Sequence, residues 1–397
     1  MSESWLDILT SSTKELEPPE RYFWWAGLAA ISAIVRRNVW INKFTYDLYP
    51  NTYTILVSAK SGLRKGLPLS YAEKIVELVG GTRVISGTNS IEGVIRYLSQ
   101  QETRETGEVF SDAQALLCAP ELSSFLTEND KALTILTDLY DTNFHTEKWR
   151  KMLKSSPTEE LKNHSLTLLG ASNETLFDTI IKGKDIEGGF IARTFIVHES
   201  KRRNKNSLMY QPEGLISKAD LAEALKPLRK LQGPFEISKS VRDLYDKWYM
   251  GLPDEYEDRT GTMERMGDKV LKAAMLTSLA REPVLRISRE GLEEAIDRTE
   301  DCMGGVKKIS MVGTSLLSPA IAKVLKFMLT QPENKIGRKK LLNKLWPDIT
   351  SIDLDSVIDN LFQSGAIIQP FREGKEVMYQ LAPGIAESYN KFKGEIE

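Results

Sequence analysis

The chain has 397 residues, of which 41% are hydrophobic and 27% are charged, and its formal net charge is −2. This composition is ordinary for a soluble globular protein, and the length predicts two to four structural units. The near-neutral charge excludes a strongly basic protein that coats nucleic acid. The two cysteines, Cys118 and Cys302, and the three histidines have no zinc-ligand spacing, which excludes a zinc-ribbon module.

The amino-terminal residues carry no recognisable targeting signal. Met1–Leu9 includes Glu3 and Asp7 and lacks a basic start, so no signal peptide is expected. The most apolar stretch, Tyr22–Val35, is too short to span a bilayer and predicts a buried helix. We therefore expect residues 1–50 to form a helical segment of a cytoplasmic protein that does not enter a membrane.

A strand, a loop and a helix are predicted next. Tyr53–Val57 is apolar and partly β-branched, which favours a buried strand; small residues and Lys65 follow, and then apolar residues recur at helical spacing from Leu67 to Leu78. This is the layout of a phosphate-binding loop, in which backbone N–H groups and a helix N-terminus hold a polyphosphate and the lysine reaches its terminal phosphates. The predicted nucleotide-binding residues are Ser58, Ala59, Lys60, Ser61, Gly62, Leu63, Arg64, Lys65 and Gly66.

The loop departs from the pattern G-x-x-x-x-G-K-[ST] at three positions. Ala59 replaces the first glycine, Arg64 replaces the second, and Gly66 stands where a hydroxyl residue normally binds Mg²⁺. Lys65 is the fixed residue that remains. Without the hydroxyl at Gly66, the metal would keep a water or recruit Ser61 or Ser70. The alternative interpretation is a strand followed by a flexible basic turn.

A second candidate residue follows another buried strand. Ala113–Ala119 is predicted to be a strand that ends in Pro120 and Glu121, before a helical stretch. A carboxylate at the carboxyl end of a core strand beside a phosphate loop is suited to orient a metal or to activate water. The alternative is that Glu121 is a first-turn helix acid favoured by the helix dipole.

Two further candidates flank the last predicted strands of the core. Ser165–Gly170 is predicted to be a strand, and Asn173 beyond it is suited to hold an attacking water, or else to cap a helix. Arg193 follows two glycines and precedes a strand over Thr194–Val197, so it needs an acidic or phosphate partner if it is buried. The charged run Lys201–Lys205 is typical of a solvated loop, with DNA contact as the alternative.

These elements predict an α/β fold whose sheet is at least partly parallel. Residues 51–234 form the predicted P-loop core. The strand signal stops at Phe235, and helices near Ser238–Trp248, Gly267–Ala280 and Arg289–Val306 predict an all-helical subdomain over 235–312.

Residues 313–397 predict a winged-helix domain. Helices near Ala320–Leu329, Arg338–Leu345 and Leu354–Ser364 precede two short strands, Ala366–Pro370 and Val377–Leu381. The third helix of such a domain normally enters DNA, but here it is acidic and would repel phosphate. The predicted DNA contacts are therefore on the second helix, at Arg338, Lys339, Lys340 and Lys344. A protein-binding winged helix is the alternative.

The ordered set of motifs from Pro18 to Val306 resembles a family of P-loop ATPases that form the helicase part of phage, plasmid and mobile-element primase–helicase proteins. The resemblance is carried by Pro19-Glu20 with Trp24, Tyr49–Tyr53, Ser61–Gly66, Pro120–Leu126, Leu168–Ser172, Gly188–Arg193, and Arg265 with the helix over Lys269–Leu279. The family tolerates a glycine-poor, serine-rich loop. The resemblance implies a RecA/AAA+-like P-loop NTPase core that hydrolyses ATP with Mg²⁺.

The resemblance also implies residue roles and partners. Lys65 would bind the β- and γ-phosphates, Glu121 would polarise the attacking water, Asn173 would position it, and Arg193 would complete the site of a neighbouring subunit. The implied assembly is a hexameric ring that moves along single-stranded DNA during replication, with the winged helix free to contact a replication protein. The alternatives are a nucleotide- and DNA-binding loader that does not hydrolyse ATP, and a scaffold with a degenerate loop.

Overall fold

The computed structural model describes residues 3–58, 61–87, 90–103, 107, 109–110, 112–127, 131–141, 148–153, 156–174, 189–207, 212–253, 261–312, 318–346 and 349–385. The chain divides into two compact units, Met1–Val306 and Lys307–Glu397. Ala59, Lys60 and Gly188, to which the sequence assigned roles, lie outside the described residues.

The first unit contains strands and helices in alternation. Its strands are β1 (Val39–Asn42), β2 (Asp47–Leu48), β3 (Tyr53–Ser58), β4 (Arg83–Ile85), β5 (Glu102–Thr103), β6 (Val109–Phe110), β7 (Gln114–Ala119), β8 (Lys148–Leu153), β9 (Ser156–Lys162), β10 (Ser165–Asn173), β11 (Thr194–His198) and β12 (Gly233–Pro234). Its helices are α1 (Trp5–Ser12), α2 (Glu20–Val35), α3 (Gly66–Val79), α4 (Ile91–Ser99), α5 (Leu122–Thr127), α6 (Ala132–Tyr140), α7 (Phe190–Arg193), α8 (Lys218–Leu225), α9 (Lys239–Met250), α10 (Met266–Arg281) and α11 (Arg289–Val312), which continues past the boundary of the unit at Val306.

A five-stranded parallel sheet forms the centre of this unit, in the order β11-β3-β10-β7-β4. Every residue of β3 and β7 is buried, as expected of strands covered on both faces by helices. The prediction of a mixed α/β fold with a parallel sheet is therefore confirmed.

The α2 helix is the apolar layer that the sequence predicted over Tyr22–Val35, and all of those residues are buried. It packs on α3, α10 and the strands β3 and β10. A helix that is apolar on all sides has to be surrounded by protein. Among the described residues, no helix combines the length and apolar character needed to cross a membrane.

Some elements were not predicted. The β8–β9 hairpin has a sequence rich in Lys and Glu, so it shows no apolar alternation that would have indicated strands. The small sheet β12-β1-β2 includes a two-residue strand, Gly233–Pro234, which pairs with Val39 and Trp40. A strand of two residues is too short to show a recognisable hydrophobic pattern in the sequence.

The second unit has its own hydrophobic core. Its helices are α12 (Ser318–Leu329), α13 (Arg338–Leu345) and α14 (Ser351–Gln363), and its strands are β13 (Lys335–Gly337), β14 (Phe371–Glu373) and β15 (Glu376–Gln380). The strands form an antiparallel sheet in the order β13-β15-β14. Gly374 has φ 62° in the turn between β14 and β15, a left-handed conformation that glycine adopts without strain.

Two sequence predictions in this unit were wrong in detail. The strand expected over Ala366–Pro370 lies instead at Phe371–Glu373, and Ile367 makes only an isolated bridge to Leu381. The third helix begins at Ser351, earlier than predicted. Its start is fixed by a capping box in which Thr350 and Asp353 each bind the other's backbone N–H.

Candidate functional site

The carboxyl ends of three neighbouring strands meet at one edge of the parallel sheet. Asn173, at the end of β10, pairs in register with Ser58, the last residue of β3, and Ala119, at the end of β7, pairs with Gly170. Since all three strands run in the same direction, the loop after β3, Glu121 after β7 and Asn173 lie at the same edge. In the sheet order, the next strand after β3 is β4, on one side, and the next strand after β10 is β11, on the other side. Parallel α/β sheets bind their ligands at the carboxyl ends of two neighbouring strands from which the chain continues in opposite directions.

Lys65 is directed to this edge. Its Nζ donates a hydrogen bond of 2.6 Å to the Ser58 hydroxyl. Partial burial lowers the pKa of Lys65, and attraction to the nearby carboxylates of Glu121 and Glu174 opposes that effect. The structure therefore brings together the predicted lysine, Ser58 and Glu121. Glu174, which contacts His198, was not singled out from the sequence, although it directly follows Asn173.

A helix N-terminus lies beside the lysine. Lys65 is the N-cap of α3, and residues 61–63 form one turn of 3₁₀ helix before it. The first N–H groups of a helix have no partner within it and carry partial positive charge, so this position suits an anion. A Cβ added at Gly62 or Gly66 would meet no atom within 4 Å, so the space next to both glycines is open.

Arg64, which the sequence placed among the nucleotide-binding residues of the loop, pairs with a carboxylate outside the loop. Its guanidinium binds Glu17, a buried carboxylate that also accepts from Arg202 at 3.3 Å. The hydrogen bond from Arg64, followed by the charges of both arginines, lowers the pKa of Glu17. Arg64 has φ 47°, in the left-handed region where glycine is favoured. The ion pair with Glu17 spans nearly fifty residues of sequence, and no local pattern indicates it.

Glu121 and Asn173 are both exposed at the sheet edge. Glu121 lies between β7 and α5, so it stands immediately before the first helical residue, Leu122. Its position is compatible with both interpretations of the sequence, an acid that acts on a bound ligand and an acid placed at a helix start. Of the hydroxyls named as substitutes for a metal ligand, Ser70 Oγ donates to Leu67 O at 2.8 Å. The side chain of Ser61 lies outside the described part of the molecule.

Arg193 lies at the other end of the parallel strands, where β11 and β3 begin. It ends α7, and the next residue, Thr194, pairs with Tyr53 at the beginning of β3. The six residues of β3 therefore separate it from the loop by roughly 17–20 Å along the strand. The structure does not bring Arg193 together with Lys65, Glu121 and Asn173 in one chain.

The guanidinium of Arg193 is buried in a salt bridge. Its Nε donates to Asp141 Oδ2 at 3.0 Å and its Nη1 to the Gly189 carbonyl at 3.0 Å. Arg265 Nη1 lies 3.5 Å from the other oxygen of Asp141. Of the glutamates that flank Arg193 in the sequence, Glu199 binds Arg21, and Glu187 is outside the described residues.

A buried lysine close to this salt bridge was also missed. Lys272 Nζ donates to Asn51 Oδ1 at 2.7 Å and lies 3.9 Å from the centroid of the Tyr140 ring. Complete burial lowers its pKa from 10.5 to about 7, although Asp268 and Asp141 favour the charged form. The sequence showed only the apolar side of α10, so it gave no indication that a cation on this helix points inward.

The basic residues of α13 differ in their surroundings. Arg338 is bound to both oxygens of Asp355 at 2.8 Å and to the Ser351 hydroxyl at 2.9 Å. Lys339, Lys340 and Lys344 are exposed, and Lys340 donates to Gln331 at 3.1 Å. The predicted DNA-contacting set therefore consists of three exposed lysines and one arginine that is engaged within the unit.

No family model matches the chain, and a search of curated proteins found no significant match. Within the described residues, no group of three or more His, Cys, Asp or Glu side chains is arranged to hold a metal ion.

Proposed function

We propose that the first unit is a P-loop NTPase of RecA/AAA+-like type that binds ATP at the edge formed by the ends of β3, β7 and β10. The observation that carries the proposal is the position of Lys65. Its ammonium group lies at the start of α3, bonded to Ser58 and within the electrostatic reach of Glu121. A lysine and a helix N-terminus that converge on open space favour a polyphosphate ligand.

The proposed chemistry is hydrolysis of the terminal phosphate. Lys65 stabilises charge on the β- and γ-phosphates, Glu121 accepts a proton from the attacking water, and Asn173 orients that water. These roles need side chains from three adjacent strand ends, which is the arrangement at this edge. The lowering of the pKa of Lys65 by burial does not remove its charge when a triphosphate binds, because phosphate oxygens favour the protonated ammonium.

A magnesium ion would be held mainly by the nucleotide. Mg²⁺ keeps several waters and takes one or two carboxylates together with the phosphates. Glu121 and Glu174 supply carboxylates at this edge, and both act on Lys65. Gly66 supplies no hydroxyl, so this chain offers fewer protein ligands than the usual loop, and we expect hydrolysis to be slow.

We further propose that the chain assembles as a hexameric ring acting on single-stranded DNA in the replication of a phage or mobile element. Arg193 supports a ring because it is too far from Lys65 to act in the same chain, whereas a neighbouring subunit would place it at a foreign nucleotide. For that role, the guanidinium of Arg193 has to break its salt bridge with Asp141. The second unit is proposed to be a winged helix, with Lys339, Lys340 and Lys344 available for DNA.

A second candidate function is a nucleotide- and DNA-binding loader, or a scaffold, that does not hydrolyse ATP. It is favoured by the pairing of Arg64 with Glu17 and by Gly66. Measuring ATP binding and ATP turnover with and without single-stranded DNA distinguishes the two. The proposal requires binding and DNA-stimulated turnover. Binding without turnover supports the loader, and the absence of binding supports the scaffold.

A further inference from the structure

The exposed side of α14 in the second unit combines apolar and acidic residues. The helix buries Leu354, Val357, Ile358 and Leu361 in the core of the unit. On the side away from the core, Ile352, Asp355, Asp359 and Phe362 recur at intervals of three and four, so they share one stripe of the helix surface. Ile352 is 79% exposed and Phe362 is 38% exposed.

The charge of this stripe is negative. The α14 sequence contains Asp353, Asp355 and Asp359 and neither lysine nor arginine. Asp353 accepts a hydrogen bond from Thr350 in the capping box, and Asp355 is paired with Arg338. Asp359 makes no ion pair within the described part of this unit. It is thus available to an external cation, next to exposed apolar side chains.

A third exposed apolar group lies close in sequence. Trp346 directly follows α13 and is 72% exposed. Ile352 is the sixth residue after it, so the two Cα atoms lie at most roughly 20 Å apart. Tryptophan is enriched among residues that dominate binding energy at protein interfaces. A helix of about 14 residues would be long enough to reach both.

We propose that the stripe Ile352, Asp355, Asp359 and Phe362, together with Trp346, is a docking surface for a protein segment in which lysine or arginine residues flank apolar side chains. Charge complementarity selects this occupant. DNA phosphates are repelled by Asp359, and a symmetric contact with the same face on a second copy of the chain would bring like charges together. Apolar anchors on the partner would cover Ile352, Phe362 and Trp346. The inference does not depend on the nucleotide site.

The test uses the full chain and a labelled synthetic peptide of about 14 residues with leucines on one helical face and lysines elsewhere. A matched peptide carries glutamates in place of the lysines, and labelled single-stranded and duplex DNA are measured in parallel. Fluorescence anisotropy is recorded for the parent chain and for Ile352→Ser, Phe362→Ser and Asp359→Lys. The control is Asp246→Lys, which makes the same charge change at an exposed position of α9 in the first unit.

The lysine peptide should bind, and each of the three α14 variants should weaken binding by about tenfold or more, as expected for loss of an interface anchor or charge partner. The Asp246→Lys control and the glutamate peptide distinguish this surface from general attraction to acidic residues. Circular dichroism of each variant is recorded to check that it folds like the parent chain.

Three results would overturn the proposal. The first is peptide binding that neither Ile352→Ser nor Asp359→Lys changes. The second is DNA binding that Ile352→Ser and Phe362→Ser weaken, which would assign the face to nucleic acid. The third is self-association of the parent chain that is lost in these variants, which would make a second copy the occupant.

Discussion

Replacing Arg193 with alanine tests how much the buried salt bridge between Arg193 and Asp141 contributes to the free energy of unfolding. The variant leaves Asp141 with Arg265 as its remaining ion-pair partner among the described residues, at 3.5 Å. Breaking a buried ion pair by removing one partner costs about 3–5 kcal/mol. Since Asp141 keeps Arg265 and part of its carboxylate is exposed, we expect a cost at or somewhat below the lower limit of that range, about 2–3 kcal/mol.

The cost is measured by urea unfolding of the parent chain, Arg193→Ala and Asp141→Asn. Arg289→Ala is the control, because Arg289 forms an exposed pair with Glu293 one helical turn away and should cost no more than about 0.5 kcal/mol. The double variant at Arg193 and Asp141 should lose less stability than the sum of the single variants, since both remove the same interaction. A loss below about 0.5 kcal/mol for Arg193→Ala would refute the assigned structural contribution.

The same variant separates an in-cis role from a role in a neighbouring subunit. Mixing Arg193→Ala with Lys65→Ala protein creates some interfaces at which an intact Lys65 faces an intact Arg193. If Arg193 acts in trans, ATP turnover should partly return, and ATP affinity of Arg193→Ala alone should be near normal. If Arg193 serves only to hold Asp141, no mixing ratio restores turnover, and Asp141→Asn shows the same loss.

Three further predictions concern the loop and the buried lysine. Gly66→Ser should raise Mg²⁺-dependent ATP turnover by roughly tenfold, because the added hydroxyl enters open space beside the proposed phosphates; unchanged turnover at saturating Mg²⁺ would contradict this. Arg64→Gly should be more stable to urea than Arg64→Ala by about 1 kcal/mol, because glycine adopts the left-handed conformation at this position without strain and alanine does not. Equal stabilities of the two variants would contradict this prediction. Lys272 should make the free energy of unfolding rise from about pH 7 to pH 10.5, because over that range the unfolded chain binds a proton that the folded chain does not. Lys272→Met should remove that rise, and an identical pH profile in the two proteins would exclude the assignment.

The sequence predicted the elements whose signal is local. Buried strands such as β3 and β7 are short continuous apolar runs, and α2 is a longer run that is apolar on all sides, so their apolar composition and length identified them. Parallel strands then place their carboxyl ends together, and this is why the sequence predicts that Lys65 and Glu121 lie at the same edge of the sheet.

What the sequence did not predict depends on contacts between distant segments. The Arg64–Glu17 pair joins the loop to the segment between α1 and α2, and the Arg193–Asp141 pair joins α7 to the end of α6. Each ion pair requires the whole fold to bring its members together. The order and register of the strands are likewise not encoded in any one segment. The position of Arg193, at the amino-terminal end of the strands and away from Lys65, is shown only by the pairing of β11 with β3.

The most direct test of the account is ATP binding by Lys65→Ala. The ammonium group of Lys65 lies at the carboxyl ends of the strands, where it donates to Ser58. The alanine variant lacks this positive charge, which would stabilise the bound phosphates. Lys74→Ala is the matched control, because Lys74 lies on the same helix but is exposed and paired with Glu77. We expect Lys65→Ala to abolish turnover and to weaken ATP binding by at least about tenfold, and Lys74→Ala to bind and hydrolyse ATP like the parent chain. Parental ATP binding and turnover in Lys65→Ala would contradict the proposed role of Lys65.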